Sequence, residues 1–152
     1  MLSSELNIFI DRPRNEVYDH LAEPINMIGL QPHLTTLDIL KEQKTTAGVV
    51  LRPFYMVETY RLAGLPIFKS RVYSVIHLTK PKDELELRVY RKPGIKMVFQ
   101  YEFRLNEEDR THLIQKVSFE QVFKLIENFV FNQSVKAQRA LLTNLKVRLE
   151  KN

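Results

Sequence analysis

Hydrophobic positions along the chain follow first a two-residue rhythm, then a helical one, then two again, and finally helical. Residues 5–11, ELNIFID, put Leu6, Ile8 and Ile10 on one side, which predicts a strand. Asp11-Arg12-Pro13 follows, with an acidic residue just ahead of a proline suited to the first helical position. Glu16 sits near the first turn, where the helix dipole favours it. Val17, Tyr18 and Leu21 then form the apolar face of a helix over about 13–22. Pro24 opens a second short helix, 24–30, ended by the run from Gly29 to Pro32.

From residue 35 the period is two. Strands are predicted at 35–43, 47–61, 67–79, 84–92, 95–105 and 111–121. Pro53 inside the second of these implies an edge position or a bulge. Gly64-Leu65-Pro66, Lys80-Pro81-Lys82-Asp83, the hairpin pair Pro93-Gly94 and the polar run Asn106 to Arg110 mark the turns. Leu85, Leu87 and Val89 alternate with Glu84, Glu86 and Arg88. Ile95, Met97, Phe99, Tyr101, Phe103 and Leu105 share one face, with Val98 the exception on the other. Leu113, Val117 and Phe119 oppose His112, Lys116 and Glu120. Consecutive strands with short turns predict an antiparallel meander, apolar on one side and wet on the other.

That apolar side needs a cover, and residues 122–150, free of Pro and Gly, are the long element left to supply it. Ile126, Val130, Ala137, Leu141 and Leu145 recur at the helical period. Asn128, Asn132, Lys136, Arg139, Thr143, Lys146 and Glu150 take the opposite side. About 28 helical residues would reach roughly 42 Å, enough to cross a curved sheet.

Composition narrows the class. With 152 residues, 44% hydrophobic and 27% charged, the chain reads as one globular domain, 1–152, and not as a disordered or collagenous one. The absence of cysteine excludes disulfides, a thiol nucleophile and a cysteine zinc site. No apolar run approaches a bilayer span, and MLSSELNIFIDRPR does not read as a signal peptide, so a cytoplasmic setting is expected. The net charge of +5 is concentrated in residues 122–152, with six basic residues against two acidic. It reads as the solvated back of the final helix. Basic residues are otherwise spread out and Trp is absent, so no nucleic-acid partner is expected.

Catalytic patterns are sparse. His20, His33, His77 and His112 are scattered, with none at metal-ligand spacing; His20 is expected on the surface and His112 on the wet face. The serines at 3, 4, 70, 74, 118 and 134 lie in no nucleophile elbow, and no phosphate-binding glycine loop is present. No metal and no cofactor are expected. Asp83-Glu84 and Glu107-Glu108-Asp109 read as solvated turn charges. Glu58, Arg61, Arg52 and Arg71 read as cross-strand ion pairs on the wet face. Any of these turned inward would demand a partner and could anchor an anionic head group.

The order strand, two short helices, six strands, long helix resembles the START-like, or helix-grip, superfamily, which includes polyketide cyclase/dehydrase-like proteins and birch-pollen-allergen-like ligand carriers. Ile8-Phe9-Ile10-Asp11-Arg12-Pro13 and Glu16-Val17-Tyr18-Asp19-His20-Leu21-Ala22-Glu23-Pro24 carry the local likeness. One departure is Leu30, near the place where many members have Trp in the second short helix. The resemblance implies an α+β helix-grip fold, with a curved antiparallel sheet of about seven strands around the C-terminal helix and two short helices after the first strand.

It also implies a cavity between sheet and helix, since a bent sheet and a straight helix cannot touch along their full lengths. The residues expected to line it, and to bind a lipid-like or aromatic ligand, are Leu87, Val89, Met97, Phe99, Tyr101, Phe103, Leu113, Val117 and Phe119 from the strands. Ile126, Val130, Ser134, Ala137 and Leu141 would join them from the helix, with small Ser134, Ala137 and Ala140 leaving room. The Tyr101 hydroxyl needs a polar partner, from the protein or from a ligand. Three functions fit: a carrier of a small hydrophobic molecule, a polyketide cyclase or dehydratase in which Tyr101 or His33 steers protons, and a quinone or lipid chaperone. The chaperone's basic helix back would make weak contact with a membrane surface.

Overall fold

The computed structural model describes residues 1–92 and 94–151, with the side chains of 60–62, 66–68 and 108 outside that description. In chain order the elements are β1 (Ser3–Ile10), α1 (Arg14–Leu21), a 3-10 turn (Pro24–Met27), β2 (Leu34–Ile39), β3 (Gln43–Lys44) and β4 (Val50–Leu62). Then come β5 (Leu65–Lys80), β6 (Glu84–Arg91), β7 (Ile95–Asn106), β8 (Arg110–Gln121) and α2 (Glu127–Glu150). The strands form one open antiparallel sheet in the order β1-β8-β7-β6-β5-β4-β2, with β3 paired to the start of β4. Strands β4 to β8 are joined by successive short turns, as the two-residue period predicts. Gly94 lies in the β6–β7 turn at φ +71°. Pro93, its predicted partner, is outside the described residues.

The predicted strand 35–43 is instead two pieces, and Pro53 explains the break. β2 pairs with β4 as far as Ile39 opposite Phe54, and β3 resumes at Gln43 opposite Leu51. Between those positions Pro53 has no N–H to give, and its carbonyl accepts from the Leu40 amide at 3.0 Å. Pro53 therefore sits neither on a free edge nor in a bulge; it marks the gap between two neighbours.

α2 lies across the concave face of the sheet and is shorter than expected, 24 residues or about 36 Å. Residues 122–126 are spent on a bend and a 3-10 turn, Lys124–Ile126. The end of α2 is tied down by polar contacts. Arg148 donates from Nη1 to Asn26 O at 2.7 Å and from Nη2 to Ile28 O at 2.6 Å. Asn144 donates to Leu30 O, Lys146 to Phe9 O, and Arg12 to Leu149 O.

One core unites these parts. Leu6 and Ile10 of β1, Val17, Tyr18 and Leu21 of α1, and Leu141, Leu142, Leu145 and Leu149 of α2 all belong to it. Leu30, at the predicted Trp position, is fully buried. Tyr18 packs edge-on against Phe103, ring centres 5.1 Å apart.

Candidate functional site

Alternation along each strand sets what the concave face presents. β6 contributes Leu85, Leu87 and Val89; β7 contributes Ile95, Met97, Phe99, Tyr101 and Phe103; β8 contributes Leu113, Val117 and Phe119. All are buried. The strand residues expected to line the cavity are therefore buried, whereas Leu105, placed by the pattern on the same apolar face, is 61% exposed at the far end of β7. From β4 and β5, whose orientation the sequence left open, come Phe54 and Met56, and Val72 and Ile76.

The same alternation brings polar groups inward that the apolar pattern passes over. Gln115 lies between Leu113 and Val117 on β8 and is fully buried. It donates from Nε2 to the Tyr101 hydroxyl at 2.9 Å and to Gln138 Oε1 of α2 at 2.6 Å. The Tyr101 hydroxyl donates to Gln138 Oε1 at 3.1 Å. Three side chains from β7, β8 and α2 thus form a closed triangle at the middle of the helix, and the Tyr101 hydroxyl is satisfied by protein. Burial pushes the Tyr101 phenol well above its ordinary value. Ser74, between Val72 and Ile76 on β5, is fully buried, and its hydroxyl has no partner among the described residues.

Glu58 corrects the expectation of a wet-face ion pair. It shares the face of Phe54 and Met56, its side chain is 5% exposed, and its Oε1 lies 2.7 Å from Arg91 Nη2. Arg91 continues the inward row of Leu87 and Val89, so the pair bridges over β5. The other charges do lie outward or at the rim. Arg71 pairs with Asp38 at 3.1 Å and covers the Tyr55 ring at 4.0 Å. Arg52 pairs with Glu23 and Glu42, both at 2.9 Å. The Arg61 side chain lies outside the described residues.

The two halves of α2 differ. Its buried residues are Gln138, Leu141, Leu142, Leu145 and Leu149, from the middle of the helix to its C-terminal end. Ahead of Gln138 no residue of the helix is fully buried. Val130, Ser134 and Ala137, predicted to line a cavity, are half-buried, as are Ile126, Phe131 and Val135. Two contacts bridge to the sheet there: Ser134 Oγ donates to Met97 Sδ at 3.2 Å, and Phe131 tilts against Phe119 with ring centres 6.1 Å apart. The helix thus sits tightly over Leu113 and Phe103 and loosely over Met97 and Phe119. Two clefts are present elsewhere. One of about 290 Å³ lies on the convex face, walled by Glu84, Glu86, Glu102 and Lys116. One of about 200 Å³ lies between Pro24, Ile39 and Arg52. Neither is between sheet and helix.

The histidines do not converge. His20, expected on the surface, is half-buried, with Nε2 3.1 Å from Arg148 Nη1. Burial chiefly, and the Arg148 charge next, lower its pKa. His77 is also lowered, chiefly by burial. His112 stacks on Phe9 at 4.4 Å and meets Asn7 Oδ1 at 2.8 Å, on the convex face as expected. His33 is exposed before β2, where its carbonyl accepts from the Thr59 amide. No described helix is long and apolar enough to cross a membrane.

No family model matches the chain, and no curated protein matches it in sequence. Solved structures do match in fold. A protein of Thermus thermophilus is 12% identical over 99% of this chain and 98% of its own, with a TM-score of 0.74. The Zhui aromatase/cyclase of Streptomyces sp. R1128 is 17% identical over 97% of this chain and 95% of its own, at 0.69. A START superfamily protein of Mycobacterium smegmatis is 12% identical over 98% and 97%, at 0.67. The architecture is therefore the START-like helix-grip fold, shared with polyketide aromatase/cyclases.

Proposed function

We propose that the chain binds a small hydrophobic molecule between the concave face of the sheet and the N-terminal half of α2. One observation carries this reading: the apolar front of α2 is fully buried along its C-terminal half but only half-buried at Val130, Ser134 and Ala137. A soluble helix normally buries its apolar stripe throughout, so the loose half is where an apolar guest would gain most from the water it displaces. Met97, Val117 and Phe119 would form the floor. The Glu58–Arg91 pair and the Ser74 hydroxyl supply polar groups on the same face for a polar end of the guest.

A cyclase-type enzyme, suggested by the aromatase/cyclase neighbour, is the second reading. It needs a group that exchanges a proton near neutral pH. Tyr101 is poorly suited, with its hydroxyl held by Gln115 and Gln138 and its pKa raised. His33, His77 and His112 lie off the concave face. These features favour a carrier.

The test is displacement of a fluorescent lipophile, anilinonaphthalene sulfonate, together with native mass spectrometry of the freshly purified protein. Ser134→Phe should fill the loose end and lower dye affinity about tenfold or more. Equal affinity in a folded Ser134→Phe protein would remove the site from this place.

A further inference from the structure

We propose that the guest is an uncharged lipophile carrying a hydroxyl or carbonyl oxygen, and that Ser74 on β5 is the residue that selects it. The inference rests on the reading of the interior site given above and adds its chemistry. Strand register sets Ser74 in one row across the concave face. Phe54 stands opposite it on β4 and Val89 on β6, followed by Met97 on β7 and Phe119 on β8. Met97 and Phe119 meet Ser134 and Phe131 of the loose half of α2. Ser74 is two strands from Met97, about 10 Å along the row. A two-ring guest seated over Met97 can reach it.

Other polar groups on this face are held by protein. Tyr101, Gln115 and Gln138 bond to one another, and Glu58 is met by Arg91. The Ser74 hydroxyl is fully buried and has no partner among the described residues. A stranded hydroxyl lowers stability, and alanine would fill the same place between Val72 and Ile76 without that loss. A polar group that is unsatisfied in the empty protein and can be satisfied by a guest marks a binding position. The hydroxyl can donate to a carbonyl or accept from another hydroxyl. Serine is also the small side chain in a row of large ones, which leaves room beside it for an oxygen. Charge argues against an acid. Arg91 is matched by Glu58 at 2.7 Å, and Arg52, at the rim, by Glu23 and Glu42. Among the described residues the buried part of this face offers an ionised carboxylate no unmatched cation.

The test uses the full chain and 1-aminoanthracene, an uncharged fluorescent dye, displaced by three naphthalenes of similar shape. These are 2-acetylnaphthalene, which has a carbonyl, 2-isopropylnaphthalene, which has none, and ionised 2-naphthoate. Ser74→Ala should weaken 2-acetylnaphthalene by about fivefold and leave 2-isopropylnaphthalene unchanged. 2-Naphthoate should bind about tenfold or more weaker than 2-acetylnaphthalene to the parent. Without any guest, Ser74→Ala should melt at the same temperature as the parent or higher, because no bond within the protein is lost. A lower melting temperature would show that the hydroxyl is already satisfied, and overturns the inference. So do equal losses of the two neutral competitors in Ser74→Ala, a 2-acetylnaphthalene that leaves the dye in place, or a 2-naphthoate that binds as tightly. In these cases dye bound by the parent and lost in Ser134→Phe still supports the interior site. A parent that binds no dye removes the site, and this inference with it.

Discussion

Arg91 Nη2 lies 2.7 Å from Glu58 Oε1, in an ion pair that reaches across β5 on the concave face of the sheet. Removing one partner leaves the other charge in a poorly hydrated place. Arg91→Met should therefore destabilise the fold by about 3 kcal/mol in urea unfolding. The double variant Glu58→Gln, Arg91→Met should recover most of that loss. A double variant as unstable as Arg91→Met alone would refute the explanation.

The triangle of Tyr101, Gln115 and Gln138 gives graded losses. Tyr101→Phe removes one hydroxyl but leaves the 2.6 Å bond between the two glutamines, so it should cost about 1 kcal/mol. Gln138→Leu strips the acceptor from both other members while burying their polar atoms. Its cost should be about 2–3 kcal/mol. Thermal melts of the two variants should rank in that order.

Acid should loosen the end of α2. The unfolded chain binds a proton on His20 more readily than the folded one, because the folded pKa lies below the ordinary 6.5. Stability is then full above about 6.5 and falls as pH drops below it. The urea midpoint should decrease between about pH 7 and pH 5. His77 works in the same direction, so His20→Gln, which keeps an acceptor for Arg148, should flatten the slope only in part. An unchanged slope in that variant would contradict the assignment.

Two glycines with similar backbone angles should respond differently to alanine. Gly29 has φ +85°, and a Cβ there would lie 2.7 Å from Arg148 Nη2. Gly48 has φ +87° with open space around it. Gly48→Ala should cost about 1 kcal/mol from backbone strain alone. Gly29→Ala should cost about 2–3 kcal/mol, because the guanidinium must also leave the carbonyls of Asn26 and Ile28. Chemical denaturation of the pair separates the two contributions.

The fold was legible wherever one side of an element is apolar and the other wet. β6, β7 and β8 alternate in this way, and their inward residues were named from sequence. β4 and β5 could not be oriented because their outer side is aromatic as well. Tyr55, Tyr73 and Tyr90 form a ladder there, with ring centres 5.3 and 5.8 Å apart, and Arg71 and Lys96 cover its outer rings. With Tyr55 and Val57 on one side and Phe54 and Met56 on the other, hydrophobicity carries no direction. Glu58 was placed outside for that reason, although its step of two from Phe54 and Met56 points inward. Gln115 and Gln138 escaped notice because a search for apolar periodicity skips polar residues at apolar positions. Counting by two from Leu113 and by three back from Leu141 finds both. The division of α2 into a tight and a loose half depends on sheet curvature, which no local pattern encodes.

The missing N–H of Pro53 has a consequence for the molecule in crowded solution. The outer margin of the sheet on the β4 side consists of two short pieces, six and two residues long, with a discontinuity between them. A foreign strand cannot find a long, even row of amides and carbonyls to add to, so this border is a poor template for aggregation.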